Sequence, residues 1–151
     1  MATISDRNTL PPVSVALPAP AAVLPHRPPF LFLDRVLLCE PGRIVAERTF
    51  RIEEPFFEGH FPGNPIVPGV ILLEALAQTL AYGVLRQTPG QKILLTGIEH
   101  CKFRQPVLPG QQVFFEVKPE RTVMNVTQAT GVVSVGGAMV AQATIKGYVG
   151  K

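Results

Sequence analysis

Tryptophan is absent from the 151 residues, and the chain has only two cysteines, three histidines and three serines. Cys39 and Cys101 form no CxxC pair, which excludes a disulfide scaffold and a zinc module. His26, His60 and His100 have no partner histidine at metal-ligand spacing, so no metal site is expected. None of Ser5, Ser14 and Ser134 sits in a nucleophile elbow, and no phosphate-binding glycine loop or dinucleotide fingerprint occurs. Charge is thin as well. Charged residues are 17% of the chain and the net charge is +3, too little to point to nucleic acid, although local clusters can still attract an acidic partner. No signal peptide is legible, because Arg7 stands beside Asp6 and Pro11, Pro12, Pro18 and Pro20 interrupt the early apolar stretch. The most apolar run, Val70 to Leu85, contains Glu74 and Gln78 and is short for a bilayer. The expectation is a soluble cytoplasmic protein without membrane insertion.

What the chain does have is apolar residues (46%) and sixteen prolines, seven of them before residue 30. Residues 1–24 therefore read as a proline-rich arm, extended or mobile, because proline removes a backbone donor and disfavours helix at the preceding residue. Residues 25–151 read as one domain. Phe30–Leu38 and Arg43–Ile52 are rich in strand formers around Glu40-Pro41-Gly42, the pattern of a hairpin. Residues 54–65 carry three prolines, two glycines and three phenylalanines, which suits an ordered loop packed on the core. Pro68-Gly69 opens one helix, Val70 to about Arg86, apolar on nearly every face and so expected to be buried all round. Ile93–Phe103, Gln111–Pro119, Arg121–Val135 and Ala138–Val149 read as strands, with turns at Pro109-Gly110 and Gly136-Gly137. Six strands and one helix without βαβ alternation make an α+β fold, an antiparallel sheet wrapped around a helix.

Glu74 is the anomaly in that helix. A carboxylate among apolar residues is costly to ionise, and such groups serve as general acids at neutral pH. The competing reading is a carboxylate stabilised by the helix dipole or by a basic neighbour. Gln78, one turn later, shares its face and can orient the carboxyl group. His60, between Gly59 and Phe61 in the loop just before the helix, has the residue type of a general base, or of a loop-fixing histidine. His26, in Leu24-Pro25-His26-Arg27-Pro28, reads as loop-fixing, and His100 as solvent-facing. Gly69 at the helix N-terminus offers an unpaired amide that a ligand oxygen can approach closely. A base, an acid and an oxyanion donor together suit proton abstraction next to a carbonyl with loss of a β-hydroxyl.

Three segments carry a resemblance: LPHRPPFLFLDRV from Leu24, EPFFEGHFPGNPIVPGVILLEALAQ from Glu54, and GIEHCKFRQPVLPGQQV from Gly97. They closely resemble the FabZ-type β-hydroxyacyl-acyl carrier protein dehydratases, in detail from Leu24 to about Val117. The resemblance implies a hot-dog fold and dehydration of (3R)-hydroxyacyl chains on acyl carrier protein to trans-2-enoyl thioesters, with no cofactor. It carries the catalytic pair onto His60 and Glu74, supplied by different protomers of a homodimer that often assembles into a hexamer. Gly69, Val70, Gln78 and Phe61 fall at substrate-binding positions. Lys102 and Arg104, near the site entrance, suit docking of the acidic carrier protein, or else are a solvated strand face. Glu74 favours the FabZ type over the related FabA-type isomerases, which have Asp there. The chain departs from the family in its proline-rich lead-in, in Ile93-Leu94-Leu95 where an aromatic gate often stands, and in Gln105 and Gln111. The alternatives are a hot-dog acyl thioesterase and a non-catalytic acyl-chain-binding module.

Overall fold

The computed structural model describes residues 16–151; residues 1–15, most of the expected arm, lie outside the described residues. In chain order the elements are α1 (Pro20–Val23), β1 (Arg35–Glu40), β2 (Arg43–Thr49), a 3-10 turn (Pro55–Glu58), α2 (Gly69–Gln87), β3 (Lys92–Phe103), β4 (Gln112–Val123), β5 (Val126–Val135) and β6 (Ala138–Gly150). The strands form one sheet in the order β1-β2-β4-β5-β6-β3, every neighbouring pair antiparallel. The sheet curls around α2, which is the architecture that the resemblance implies. Leu72, Leu76, Leu80 and Tyr82 of the helix are buried against Ile44, Phe115, Ala129 and Ile145 of the sheet. Each large side chain removed from water in this way contributes roughly 1.5–3 kcal/mol.

The expected segments needed four corrections, each with a local cause. The arm is not extended to its end: Pro20–Val23 is helical, Leu24 is buried, and the Tyr82 hydroxyl donates to the Pro18 carbonyl at 2.7 Å. The first hairpin is shorter than its apolar pattern, because Gln78 rather than a neighbouring strand satisfies the backbone of Phe30 and Phe32. Pro119 does not end a strand. It lies in β4 beyond Val117, where pairing with β2 has stopped, and a proline is tolerated on such a one-sided stretch. The turn that separates β4 from β5 is instead Met124-Asn125, both at positive φ (51° and 65°). Finally, α2 is not buried all round.

That last correction matters for the site. Val70 is 69% exposed, and Glu74, Ala77 and Val84 on the same side are only partly buried. Their spacing makes one stripe along the helix. The stripe faces β3, an edge strand with Leu94 (65%), Leu95 (45%) and Ile98 (40%) exposed. With 19 residues α2 is also long and apolar enough to cross a membrane, contrary to the length argument from sequence. What argues against that role is its position, since 56% of the apolar window is buried as the core of the sheet.

Candidate active site

His60 lies in the loop between the 3-10 turn and α2. The loop is held by its own backbone: Ile66 N–H donates to the His60 carbonyl at 3.0 Å, and Phe61 and Asn64 exchange hydrogen bonds. The His60 ring stacks on Phe61, with centroids 4.1 Å apart. Its Nδ1 lies 2.8 Å from the Ile66 carbonyl oxygen, which can only accept, so Nδ1 carries the proton and Nε2 keeps its lone pair. That is the tautomer a general base requires.

The same loop delivers Gly69 and Val70 to the first turn of α2. Pro68 is the N-cap and supplies no side-chain hydrogen bond, so the first amides of the helix have no acceptor within it. A cavity of about 420 Å³ joins His60, Ile66, Gly69, Val70, Phe103 and Arg104. A Cβ on Gly69 would lie 2.7 Å from the Phe103 ring, so glycine is what lets this cavity reach the backbone. Arg104 stands at the cavity with its guanidinium 3.3 Å from the Gln142 side-chain oxygen. Lys102 is exposed on β3 opposite Gln142 and does not line the cavity.

Glu74 belongs to a different cavity. It lies with His26, Ala77, Leu80, Ala81, Ile93, Leu95 and Gly147 around a space of about 50 Å³ on the side of α2 that faces β3. Gln78 is fully buried and acts as a three-way clamp. Its Oε1 accepts from the Phe32 N–H at 2.8 Å, and its Nε2 donates to the Phe30 carbonyl at 3.0 Å and to Glu74 Oε1 at 3.1 Å. His26 Nε2 lies 3.6 Å from the same Glu74 oxygen. The loop-fixing role expected of His26 belongs to Arg27, which donates to the carbonyls of Leu24 and His26 at 2.8 and 2.6 Å. His100 is exposed on β3, as expected.

Within one chain, then, His60 and Glu74, the expected base and acid, are not brought together, and no hydrogen bond or ion pair joins them. Another cavity, about 560 Å³ near Pro41, Val84 and Tyr148, is lined by neither of them. Among the described residues no group of three or more His, Cys, Asp and Glu side chains could hold a metal ion.

Residues 24–144 match the FabA-like domain family. The chain is 46% identical over 127 residues to a 3-hydroxyacyl-[acyl-carrier-protein] dehydratase FabZ of Symbiobacterium thermophilum, covering 82% of this chain and 89% of that one. It is 45% identical over 130 residues to the protein of the same name from Klebsiella pneumoniae, covering 82% and 85%. Among solved structures, the dehydratase heterocomplex ApeI:P from Xenorhabdus doucetiae matches with a TM-score of 0.79 at 16% identity, over 90% of this chain and 93% of that one. At that identity the structural match speaks for the fold alone, and the fold is the hot-dog fold.

Proposed function

The chain belongs to the FabA-like family, in its FabZ branch, and we propose on that ground that it dehydrates (3R)-hydroxyacyl groups carried on acyl carrier protein to trans-2-enoyl thioesters in fatty acid biosynthesis. The observation that carries the reading is the His60 ring, whose Nδ1 is tied to the Ile66 carbonyl so that Nε2 opens as a base beside the amides of Gly69 and Val70. His60 Nε2 takes the α-proton, and the electron pair moves towards the thioester oxygen, which the helix-start amides stabilise. The β-carbon–oxygen bond breaks as the hydroxyl takes the proton of Glu74 and leaves as water. One proton has passed from carbon to His60 and one from Glu74 to the hydroxyl, so the reaction balances without a cofactor.

The catalytic unit of this reading is a homodimer. A second copy laid along the exposed apolar edge of β3 would cover the open stripe of α2 and bring its His60 to this chain's Glu74. The hexamer implied by the resemblance would be three such dimers, and light scattering reads which assembly forms.

Incubation with a 3-hydroxyacyl thioester tests the activity. Enoyl product is expected; free thiol would mean a thioesterase, and no turnover a binding module. His60→Ala and Glu74→Gln should each lose about 10²–10⁴-fold in kcat, the usual worth of a general acid–base group. Mixing these two variants should restore activity, because the heterodimer contains one site with both native residues. No recovery despite demonstrated subunit exchange would refute the shared site.

A further inference from the structure

We propose that His26 is a positioning residue for the acid, holding Glu74 through Oε1 so that the proton to be transferred sits on Oε2. The proposal rests on the reading of Glu74 as the general acid. Two nitrogens converge on Oε1: Gln78 Nε2 at 3.1 Å and His26 Nε2 at 3.6 Å. Among the described residues nothing bonds Oε2. The 3.6 Å separation is too long for a hydrogen bond as it stands, but such contacts in unliganded sites commonly tighten when substrate binds.

The tautomer of His26 follows from its other nitrogen. Nδ1 is buried and has no hydrogen-bond partner. A neutral imidazole has one N–H and one lone pair, and a buried orphan N–H is the rarer of the two defects in folded proteins. Nδ1 is therefore the bare nitrogen, and the N–H is on Nε2, aimed at Glu74. An oxygen that receives two N–H groups is the carbonyl-type oxygen of the acid. As Oε2 gives its proton to the departing hydroxyl, the charge left on the carboxylate is stabilised on Oε1 by both donors.

The backbone around His26 is built to hold this geometry. Leu24 is buried, Arg27 bonds the Leu24 and His26 carbonyls, and the Phe30 N–H donates to the Arg27 carbonyl at 2.8 Å. The other walls of the Glu74 cavity carry no titratable group: α2 contributes Ala77, Leu80 and Ala81, β3 contributes Ile93 and Leu95, and β6 contributes Gly147. Among the described residues His26 is thus the ionisable side chain facing Glu74.

Two measurements test the proposal. Long-range ¹H–¹⁵N NMR of histidine-labelled protein should show His26 protonated on Nε2 and bare on Nδ1, and the opposite tautomer would overturn the assignment. In steady-state kinetics His26→Phe should lower kcat by about 10- to 100-fold, the range of one hydrogen bond to a charged group, while KM changes little. His26→Gln, which regains an N–H at a similar reach, should recover most of that loss. A folded His26→Phe variant with normal kcat, or a Gln variant as slow as the Phe variant, would overturn the role; should His26→Phe fail to fold, the tautomer decides. Glu74→Gln separates the two readings: if it stays active, Glu74 is not the acid and both fail, whereas an inactive Glu74→Gln beside a normal His26→Phe removes only the role of His26.

Discussion

Replacing Gln78 with leucine should cost the protein both stability and activity, and the size of the first effect can be worked from the three bonds it makes. The Phe32 N–H is buried and would be left without an acceptor, at about 1–3 kcal/mol. The bonds to the Phe30 carbonyl and Glu74 Oε1 are only partly buried, so water can replace part of each, and their loss costs about 0.5–1.5 kcal/mol apiece. Against this, the leucine side chain is apolar in an apolar place and returns a methylene's worth, about 0.8 kcal/mol. The net is a loss of about 3 kcal/mol, which for a chain of this length lowers Tm by roughly 6–12 °C. Urea denaturation at one fixed protein concentration measures it without confusion from subunit dissociation.

Gln78→Glu separates the clamp from mere packing. The carboxylate keeps an acceptor for the Phe32 N–H but turns the donor end into an oxygen facing the Phe30 carbonyl and Glu74. It keeps the shape of glutamine, yet should lose at least as much stability as Gln78→Leu, because a buried carboxylate then faces two acceptors, and should lose activity as well. If Gln78→Leu unfolds within about 1 kcal/mol of the parent and turns over normally, the residues between Leu24 and Asp34 are fixed by something else and the clamp argument is wrong.

Gly69→Ala should lower kcat/KM at least about tenfold with little change in Tm, since the added methyl, 2.7 Å from the Phe103 ring, must displace a wall of the His60 cavity and not the core; unchanged kinetics would mean that substrate does not use that cavity. Lys102→Glu combined with Arg104→Glu should raise KM for carrier-bound substrate, most at low salt, and leave a short carrier-free thioester unaffected; equal loss on both substrates would end the docking idea. The thiols of Cys39 and Cys101 are both pushed up by burial, with Arg86 partly offsetting the effect at Cys39. A raised thiol holds less thiolate at a given pH, so alkylation by iodoacetamide near pH 8 should be slower at both than at a free cysteine, and a rate as fast as free cysteine would refute it.

The parts of the fold legible in the sequence were those fixed by backbone chemistry or by a long period. Gly136-Gly137, at φ 59° and 82°, can adopt the left-handed turn that the hairpin needs, and α2 begins one residue before and ends one residue after its expected bounds. What escaped was fixed by tertiary partners. Met124-Asn125 makes the same kind of turn without a glycine, because asparagine tolerates positive φ and the paired strands on either side impose it. Residues 30–32 have strand-like composition, yet the Phe32 N–H and the Phe30 carbonyl are both met by one side chain, Gln78, 46 and 48 residues away. The place of His26 is hidden for a related reason: nothing local to the Leu24–Pro28 segment reveals that its side chain ends against Glu74, 48 residues further on.

Helix geometry explains why Gly69 and Glu74 of one chain open on different cavities. Gly69 and Glu74 are five residues apart on α2, which advances the chain by about 7.5 Å and turns it by roughly 140° beyond a full revolution. The amides at the helix start thus open on the His60 side, while the Glu74 carboxyl group opens into the other cavity, and on the proposed mechanism a small thioester would not touch both on the same chain. A two-fold partner removes the conflict, because an isologous interface sets residue i of one copy against residue j of the other and repeats the pairing in reverse. On the proposed dimer the exposed apolar edge of β3 and the open stripe of α2 would have one shared cause, both being surfaces that a second copy would cover. Glu74 is affordable in an apolar helix on the same account, since it lies on that stripe, where Gln78 and His26 reach one of its oxygens and the other is left free for chemistry.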